Sequence, residues 1–376
     1  METRTQSFSV AHASGADWET MTAACISRLG ALPEGANIGF VYATDLVGDD
    51  LDNIAEKLRR TTGIDQWVGT LGFGVCVAGR EYFDQPAMAV MIGALPEDSF
   101  RIFPTISKPG QPLPKAAAEW VARRHPMLGV VHADPRNGLL PAILDSISDD
   151  TESFLVGGLT ASRGRQRQIA GAPMDGGISG VLFGSNIEVA TGLTQGCSPI
   201  GPVRQVTEAR ENVVKRLDGR LALDVFKEDI GEVLARNLNR VGGYIHAALP
   251  VSGADRPDYL VRNLIGIDPD QGWIAIGDRI SAGDRLMFVR RDGAAALKDL
   301  DRMLGDLKGR AKAPPKAALY YSCVARGPNL FGRNSEELTR VSEAIGMDVP
   351  LVGFYAKGEI CSNRLYGYTG VLTLIL

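Results

Sequence analysis

"MLGVVHADP", Met127–Pro135, is an apolar run that ends in the polar residues His132 and Asp134. It reads as a strand with a polar tip. Its downstream neighbours decide the fold. "GLLPAILDSISD" carries apolar residues at helical spacing, "SFLVGGLTASRG" (Ser153–Gly164) is a strand running into a double glycine and a polar loop, and "GISGVLFGS" is a further strand. The same order occurs twice more. Upstream, "NIGFVYAT" (Asn37–Thr44) is closed by Asp45. A helix with Leu51, Ile54, Ala55 and Leu58 on one face comes next, with Asp49 or Asp50 as N-cap and Gly63 as stop, and then "QWVGTLGFGVCVAG" and "PAMAVMIGAL". Downstream the series is "KAALYYSCVARG" (Lys316–Gly327), "SEELTRVSEAIG" with Leu338, Val341 and Ile345 on one face, "VPLVGFYAKGEI" and "YGYTGVLTLIL". Each unit is strand, polar tip, helix, strand with a glycine, loop, strand. The pattern predicts a mixed α/β protein of two lobes built from repeated strand-helix-strand-strand units, with sheets covered on one face by helices.

A different region separates the second and third units. "IEVATGLTQGCSPIGPVRQVTEARENVVKRLDG" reads as strands broken by Gly and Pro, and a helical stretch begins near Leu221. Placing a boundary at the end of that helix, near Asn239, gives an N-terminal extension (1–36), a first domain (37–238) and a second (239–376). Pro314-Pro315 marks a loop before the last unit.

The net charge of -4 and the absence of a basic stripe argue against a nucleic-acid partner. "RGRQRQ" (Arg163–Gln168) is short and isolated and reads as a solvated loop. No apolar run has the length of a membrane span, and the N-terminus has no secretory h-region. The five cysteines are scattered, with no C-x-x-C pair, which fits a reducing cytoplasm.

The chemically rich residues sit at strand tips, where a rigid sheet holds binding groups. In "GGLTASRG", Thr160, Ser162 and Arg163 suit a carboxylate or phosphate, although no nucleotide-binding glycine pattern is matched. In the third unit Arg326 suits an anion and Glu359 an ammonium, as an amino-acid-like ligand requires; an internal ion pair is the alternative. "TQGCSPIGP" (Thr194–Pro202) raises the question of a reactive cysteine. Cys197 has no histidine or second thiol nearby, and Ser198 separates it from Pro199, so a haem-regulatory Cys-Pro step is missed. A turn shaped by Gly196, Pro199, Gly201 and Pro202 that helps wall a pocket is the favoured reading, with Gln195 the better contact residue. A hydrolase or transferase using Cys197 or Cys323 is the catalytic alternative.

"GFVYATD", "WVGTLGFG", "FLVGGLTASRG", "TQGCSPIGPVRQVTEAREN", "LDGRLALDVF", "YYSCVARG", "PLVGFYAKGEI" and "YGYTGVLTLIL", in this order, resemble the FIST family of signal-transduction proteins, in which a FIST N domain precedes a FIST C domain. The resemblance implies a non-catalytic sensor of a small molecule, amino-acid-like or another metabolite, that passes its state to a separate partner such as a histidine kinase. One branch of the family implies a second reading, a nitric-oxide sensor carrying haem b. That reading needs an axial ligand, for which His132 is the first choice and His246 the second.

Overall fold

The computed structural model describes residues 7–251 and 258–376. The chain divides into two compact units, Met1–Thr194 with Leu300–Leu365 and Thr369–Leu376, and Gln195–Asp299 with Tyr366–Tyr368.

The first unit contains three copies of one motif. The first copy is β1 (Phe8–Ser14), α1 (Trp18–Leu29), β2 (Ile38–Thr44), α2 (Leu51–Thr62), β3 (Trp67–Gly72), the hairpin β4 (Gly74–Val77) and β5 (Arg80–Phe83), and β6 (Ala87–Gly93). The second is β7 (Phe100–Ile106), α3 (Lys115–Arg124), β8 (Leu128–Ala133), α4 (Leu140–Thr151), β9 (Phe154–Leu159), the hairpin β10 (Gln168–Ala170) and β11 (Ala172–Met174), and β12 (Ile178–Phe183). The third opens with β13 (Val189–Gln195). The elements of the second unit come next in the chain: β14 (Cys197–Pro199), β15 (Arg204–Arg210), β16 (Val213–Leu217), β17 (Arg220–Leu221), α5 (Ala222–Ile230), α6 (Glu232–Ala235), β18 (Ile245–Pro250), β19 (Tyr259–Asp268), β20 (Trp273–Ile276) and β21 (Arg285–Arg291). The third copy resumes with α7 (Gly293–Arg310), β22 (Ala317–Cys323), α8 (Pro328–Phe331), α9 (Glu336–Ile345), β23 (Leu351–Ala356), the hairpin β24 (Glu359–Cys361) and β25 (Arg364–Tyr366), and β26 (Thr369–Ile375).

The expected mixed α/β architecture is present, with its repeated units. Residues 8–29, within the stretch read as an extension, form β1 and α1 of the first repeat. The expected boundary near Asn239 falls inside the second unit, which is inserted in sequence between β13 and α7 of the third repeat.

Local signals explain the elements. In α2 the apolar face expected from spacing, Leu51, Ile54, Ala55 and Leu58, is the buried one, and Gly63 in a left-handed conformation ends the helix. Asp17 caps α1 by accepting from the Thr20 amide. Strands β2, β8 and β22 are buried along their whole length, so their sequences are near-continuous apolar runs rather than alternating ones.

Each repeat builds a six-stranded sheet with one borrowed hairpin. The orders are β1-β6-β2-β3-β10-β11, β7-β12-β8-β9-β24-β25 and β13-β26-β22-β23-β4-β5. The first repeat's hairpin thus completes the third sheet, the third's completes the second, and the second's completes the first. Three backbone hydrogen bonds at matching positions close the cycle: Phe73 N to Tyr355 O at 3.2 Å, Ala161 N to Leu71 O at 2.9 Å, and Lys357 N to Leu159 O at 3.3 Å. The shared glycine has a shared cause. Gly69 pairs with Val41, Gly157 with Val131 and Gly353 with Tyr320. A Cβ on these glycines would lie 1.8, 1.8 and 1.6 Å from the partner's carbonyl oxygen, so no side chain fits. Exposed sheet edges are blunted by arginines: Arg28 of α1 donates to His12 O of β1, and Arg302 and Arg310 of α7 donate to Leu193 O and Thr191 O of β13.

The second unit is antiparallel. Its strands β21, β15, β16, β20, β19 and β18 pair in sequence, and β18 pairs back with β21, so the sheet closes on itself. Helix α5 covers it through Leu223 and Phe226, and Phe226 meets Phe288 edge to face at 4.7 Å.

Candidate functional site

The repeats act as controls for one another. On the helix-facing side of the sheet, four matching positions are apolar in the first repeat (Val41, Ala43, Leu71, with Ile169 on the borrowed hairpin) and in the second (Val131, Ala133, Leu159, with Ile360). In the third they are Tyr320, Ser322, Tyr355 and Cys76, all with at most a trace of exposure. One of three equivalent cores has therefore become polar. Burying such groups costs free energy unless they are paired, and here buried carboxylates pair them.

Its hub is an ion pair. Helix α9 places Glu337 on its buried face beside Leu338. The Glu337 carboxylate accepts from Tyr320 Oη (2.7 Å), Ser322 Oγ (3.1 Å), Arg326 Nε (2.7 Å) and the Gly327 amide (3.2 Å). Arg326, in the tip after β22, is 0% exposed, and its Nη2 lies 2.6 Å from Glu337 Oε1. Burial works against the guanidinium charge, but Glu337 holds it on and raises the pKa of Arg326. The Arg326 Nη1 has no hydrogen-bond partner among the described residues.

Two further carboxyls border the hub. Glu359 opens β24 and is 0% exposed. Its Oε2 accepts from the Thr369 amide and hydroxyl, its neighbour is the Cys323 thiol, and its Oε1 has no hydrogen-bond partner among the described residues. Burial pushes its pKa up to about 8, against the opposing pull of the Thr369 and Cys323 hydrogen bonds and the Arg326 charge. The same register position on the second repeat's hairpin is Gln168, whose amide is satisfied by Gly177 O and Ser179 Oγ. A neutral amide with both ends paired has thus been replaced by an acid with a spare oxygen. Glu81, from the hairpin β4–β5, accepts a short hydrogen bond from Tyr355 Oη, and burial raises its pKa to about 7. Together the cluster holds one guanidinium nitrogen without a hydrogen-bond partner among the described residues and two carboxyls whose pKa values burial raises to about 8 and about 7.

Of the residues expected from sequence, Cys323, Arg326 and Glu359 come together here. The internal ion pair considered for Arg326 exists, but its partner is Glu337, which sequence reasoning missed. The signal was a carboxylate on the apolar face of α9, four residues before Val341. Thr160 lies just past the end of β9, fully buried, with its hydroxyl 2.7 Å from that of Thr70. Ser162 Oγ accepts from the Gly164 amide within its own loop. Arg163, half-exposed, is engaged by Asp45 and Asp84.

Gln195, Gly196 and Cys197 belong to the second unit. Gln195 Nε2 donates to Asp258 Oδ1 at 2.5 Å and to Tyr259 O at 3.3 Å, so the amide expected to contact a ligand is tied to its own unit. Gly196 O accepts from the Asp292 amide. Cys197 opens β14 and pairs with Arg291 of β21 rather than sitting in a turn; it is buried with Tyr259, Val261 and Met287, and its carbonyl accepts from Tyr259 Oη.

His132 is 0% exposed and lies where the three repeats converge. Tyr42, His132 and Tyr321 occupy matching positions, with Tyr42 Oη 3.2 Å from His132 Nε2 and 3.1 Å from Tyr321 Oη. The rings of Tyr42, Tyr321 and Phe354 pack around the imidazole at 5.4, 6.1 and 5.7 Å. Burial lowers its pKa to about 3. Haem ligation needs a ring nitrogen open to the iron and room beside it for the porphyrin. Nε2 faces Tyr42 Oη and aromatic rings enclose the fully buried imidazole, so the residues present do not fit haem at His132. Among the described residues, no group of three or more His, Cys, Asp or Glu side chains is placed to hold a metal ion, and no helix is long and apolar enough to cross a membrane.

Fold and site define a protein of three fused α/β repeats in which the third core carries a buried polar cluster. Residues 37–220 match the FIST N domain and residues 222–362 the FIST C domain. The chain belongs to the FIST family, whose domains are associated with signal transduction. An uncharacterized protein of Mycobacterium tuberculosis is 29% identical over 329 residues, covering 82% of this chain and 83% of its own length. An uncharacterized protein of Mycobacterium bovis is 28% identical over 332 residues, covering 82% of each.

Proposed function

We propose that the chain is a non-catalytic cytoplasmic sensor of a small metabolite, amino-acid-like in its charges, held in the polar core of the third repeat. Its ligand state passes to a separate signalling protein such as a histidine kinase. The observation that carries this reading is a pair of fully buried atoms, Arg326 Nη1 and Glu359 Oε1, that lack partners among the described residues, in one of three otherwise equivalent cores. An anionic group on Arg326 and an amino group facing Glu359 would satisfy both. Leaving such groups without partners costs about 1–3 kcal/mol each, and a ligand recovers that cost. The family membership supports the signalling role.

A thermal-shift screen of free amino acids and other small carboxylates tests this, because a ligand bound only by the folded state raises the melting temperature. The expected result is a shift with at least one such compound, lost in Arg326→Lys, which keeps the charge but cannot reproduce the fork. No shift across the screen, or a shift that survives Arg326→Lys unchanged, contradicts it.

A further inference from the structure

The connection from the glycine-bearing strand to its hairpin is one residue in two repeats. Gly74 separates Phe73 from Val75, and Gly358 separates Lys357 from Glu359. In the second repeat the matching residues, Ala161 and Gln168, are separated by the six residues Ser162–Arg167. This insertion breaks the internal symmetry at the end of the three sheets where the backbone cycle of Phe73, Ala161 and Lys357 closes.

The inserted loop is fastened by polar contacts. The Arg163 amide and guanidinium meet Asp45, and its Nη2 lies 2.9 Å from Asp84 Oδ1. Arg167 Nη2 lies 2.6 Å from Asp52. Lys357 Nζ donates to Ser162 O at 3.1 Å, and the Phe73 ring carries the Arg163 guanidinium and the Lys357 ammonium at 5.1 and 5.5 Å. The loop has no apolar side chain. Ser162 and Gln166 are buried, with Gln166 Nε2 donating to Ser162 O and Thr70 Oγ1 to Arg167 O. The rest of its fastening is by ion pairs of Arg163 and Arg167 with carboxylates, of which the exposed ones are weak and screened by salt. Its latch, Lys357, is two residues from Glu359, whose carboxyl adjoins Cys323 and Thr369.

We propose that Ser162–Arg167 is a strap that closes the axial end of the candidate ligand site, and that its release admits small solutes to Glu359 and Cys323. The site is otherwise sealed, since Arg326, Glu359 and Thr369 are all 0% exposed. The location of the site rests on the functional reading above; the behaviour of the strap does not require a ligand.

The test is the rate at which iodoacetamide labels Cys323, read by peptide mass spectrometry, with Cys25 of the first repeat's core as internal control. One variant unlatches the strap (Asp84→Asn with Lys357→Gln). A second replaces Ser162–Arg167 by a single glycine, the length used by the other two repeats. Both should raise Cys323 labelling at least about tenfold, as local opening without global unfolding does, with Cys25 unchanged. Unaltered Cys323 labelling in folded variants, or an equal rise at Cys25, would overturn the proposal. Should the shortened variant not fold, the unlatched one decides alone. Faster Cys323 labelling in a protein that shows no ligand response would sink the sensor reading and leave the strap standing.

Discussion

Glu359 and His132 are buried titratable groups whose pKa values move in opposite senses, and each leaves a pH signature. The Glu359 pKa rises to about 8 in the folded chain, from an ordinary unfolded value of about 4.3. Between those values the folded state holds a proton that the unfolded state releases, so stability falls as pH rises through that window, by up to about 1.4 kcal/mol per unit. Glu359→Gln removes this slope. The amide has a precedent in Gln168 at the matching position. Urea titrations should find the variant more stable than the parent at pH 8, with the gap closing towards pH 5; a constant gap would contradict the assignment. For His132 the folded pKa is about 3, below the unfolded value of about 6.5. Its contribution is intact above pH 6.5 and is lost as pH falls towards 3. His132→Phe, in an aromatic surround, should flatten the acid limb, and an unchanged limb between pH 6 and 4 would refute this.

At the scale of elements, the strongest constraint is the glycine shared by β3, β9 and β23. Gly69→Ala, Gly157→Ala and Gly353→Ala each drive a Cβ into a carbonyl oxygen on the neighbouring strand. Each should cost about 3–5 kcal/mol or prevent folding. Gly305→Ala, in the middle of α7 with nothing within 4 Å, should stabilise by up to about 1 kcal/mol. Melting curves of the four variants separate these outcomes, and tolerance at Gly353 would contradict the register. The repeated strand, tip, helix and glycine-bearing strand were legible in sequence because period and punctuation are local. The first repeat's opening strand and helix were not, since β1 and α1 lack an apolar run as continuous as that of β2 or β8. Nor was the polar third core: Tyr320, Tyr355 and Cys76 read as ordinary strand residues until register sets them beside Val41, Leu71 and Ile169.

For the whole molecule, exchange of hairpins makes the repeats interdependent. The first repeat alone lacks β10–β11, and its own β4–β5 would have no β23 to pair with. A fragment spanning residues 8–93 should therefore give a disordered circular-dichroism spectrum, and a cooperatively folded fragment would contradict the exchange. No sequence signal announces which sheet a hairpin joins, because each is a short strand pair with the same turn chemistry in any partner. The grouping of Cys323, Arg326 and Glu359 was legible because they lie at strand tips; that of Glu337 and Glu81 was not, because the contacts that recruit them come from another face and another repeat. The central claim, that the polar third core holds the ligand, is tested most directly by calorimetric titration of the parent protein and Arg326→Lys with a compound that shifts the melting temperature. The account predicts saturable one-site binding to the parent, weakened at least about tenfold, or about 1.4 kcal/mol, in Arg326→Lys. Equal affinity for both proteins would contradict it.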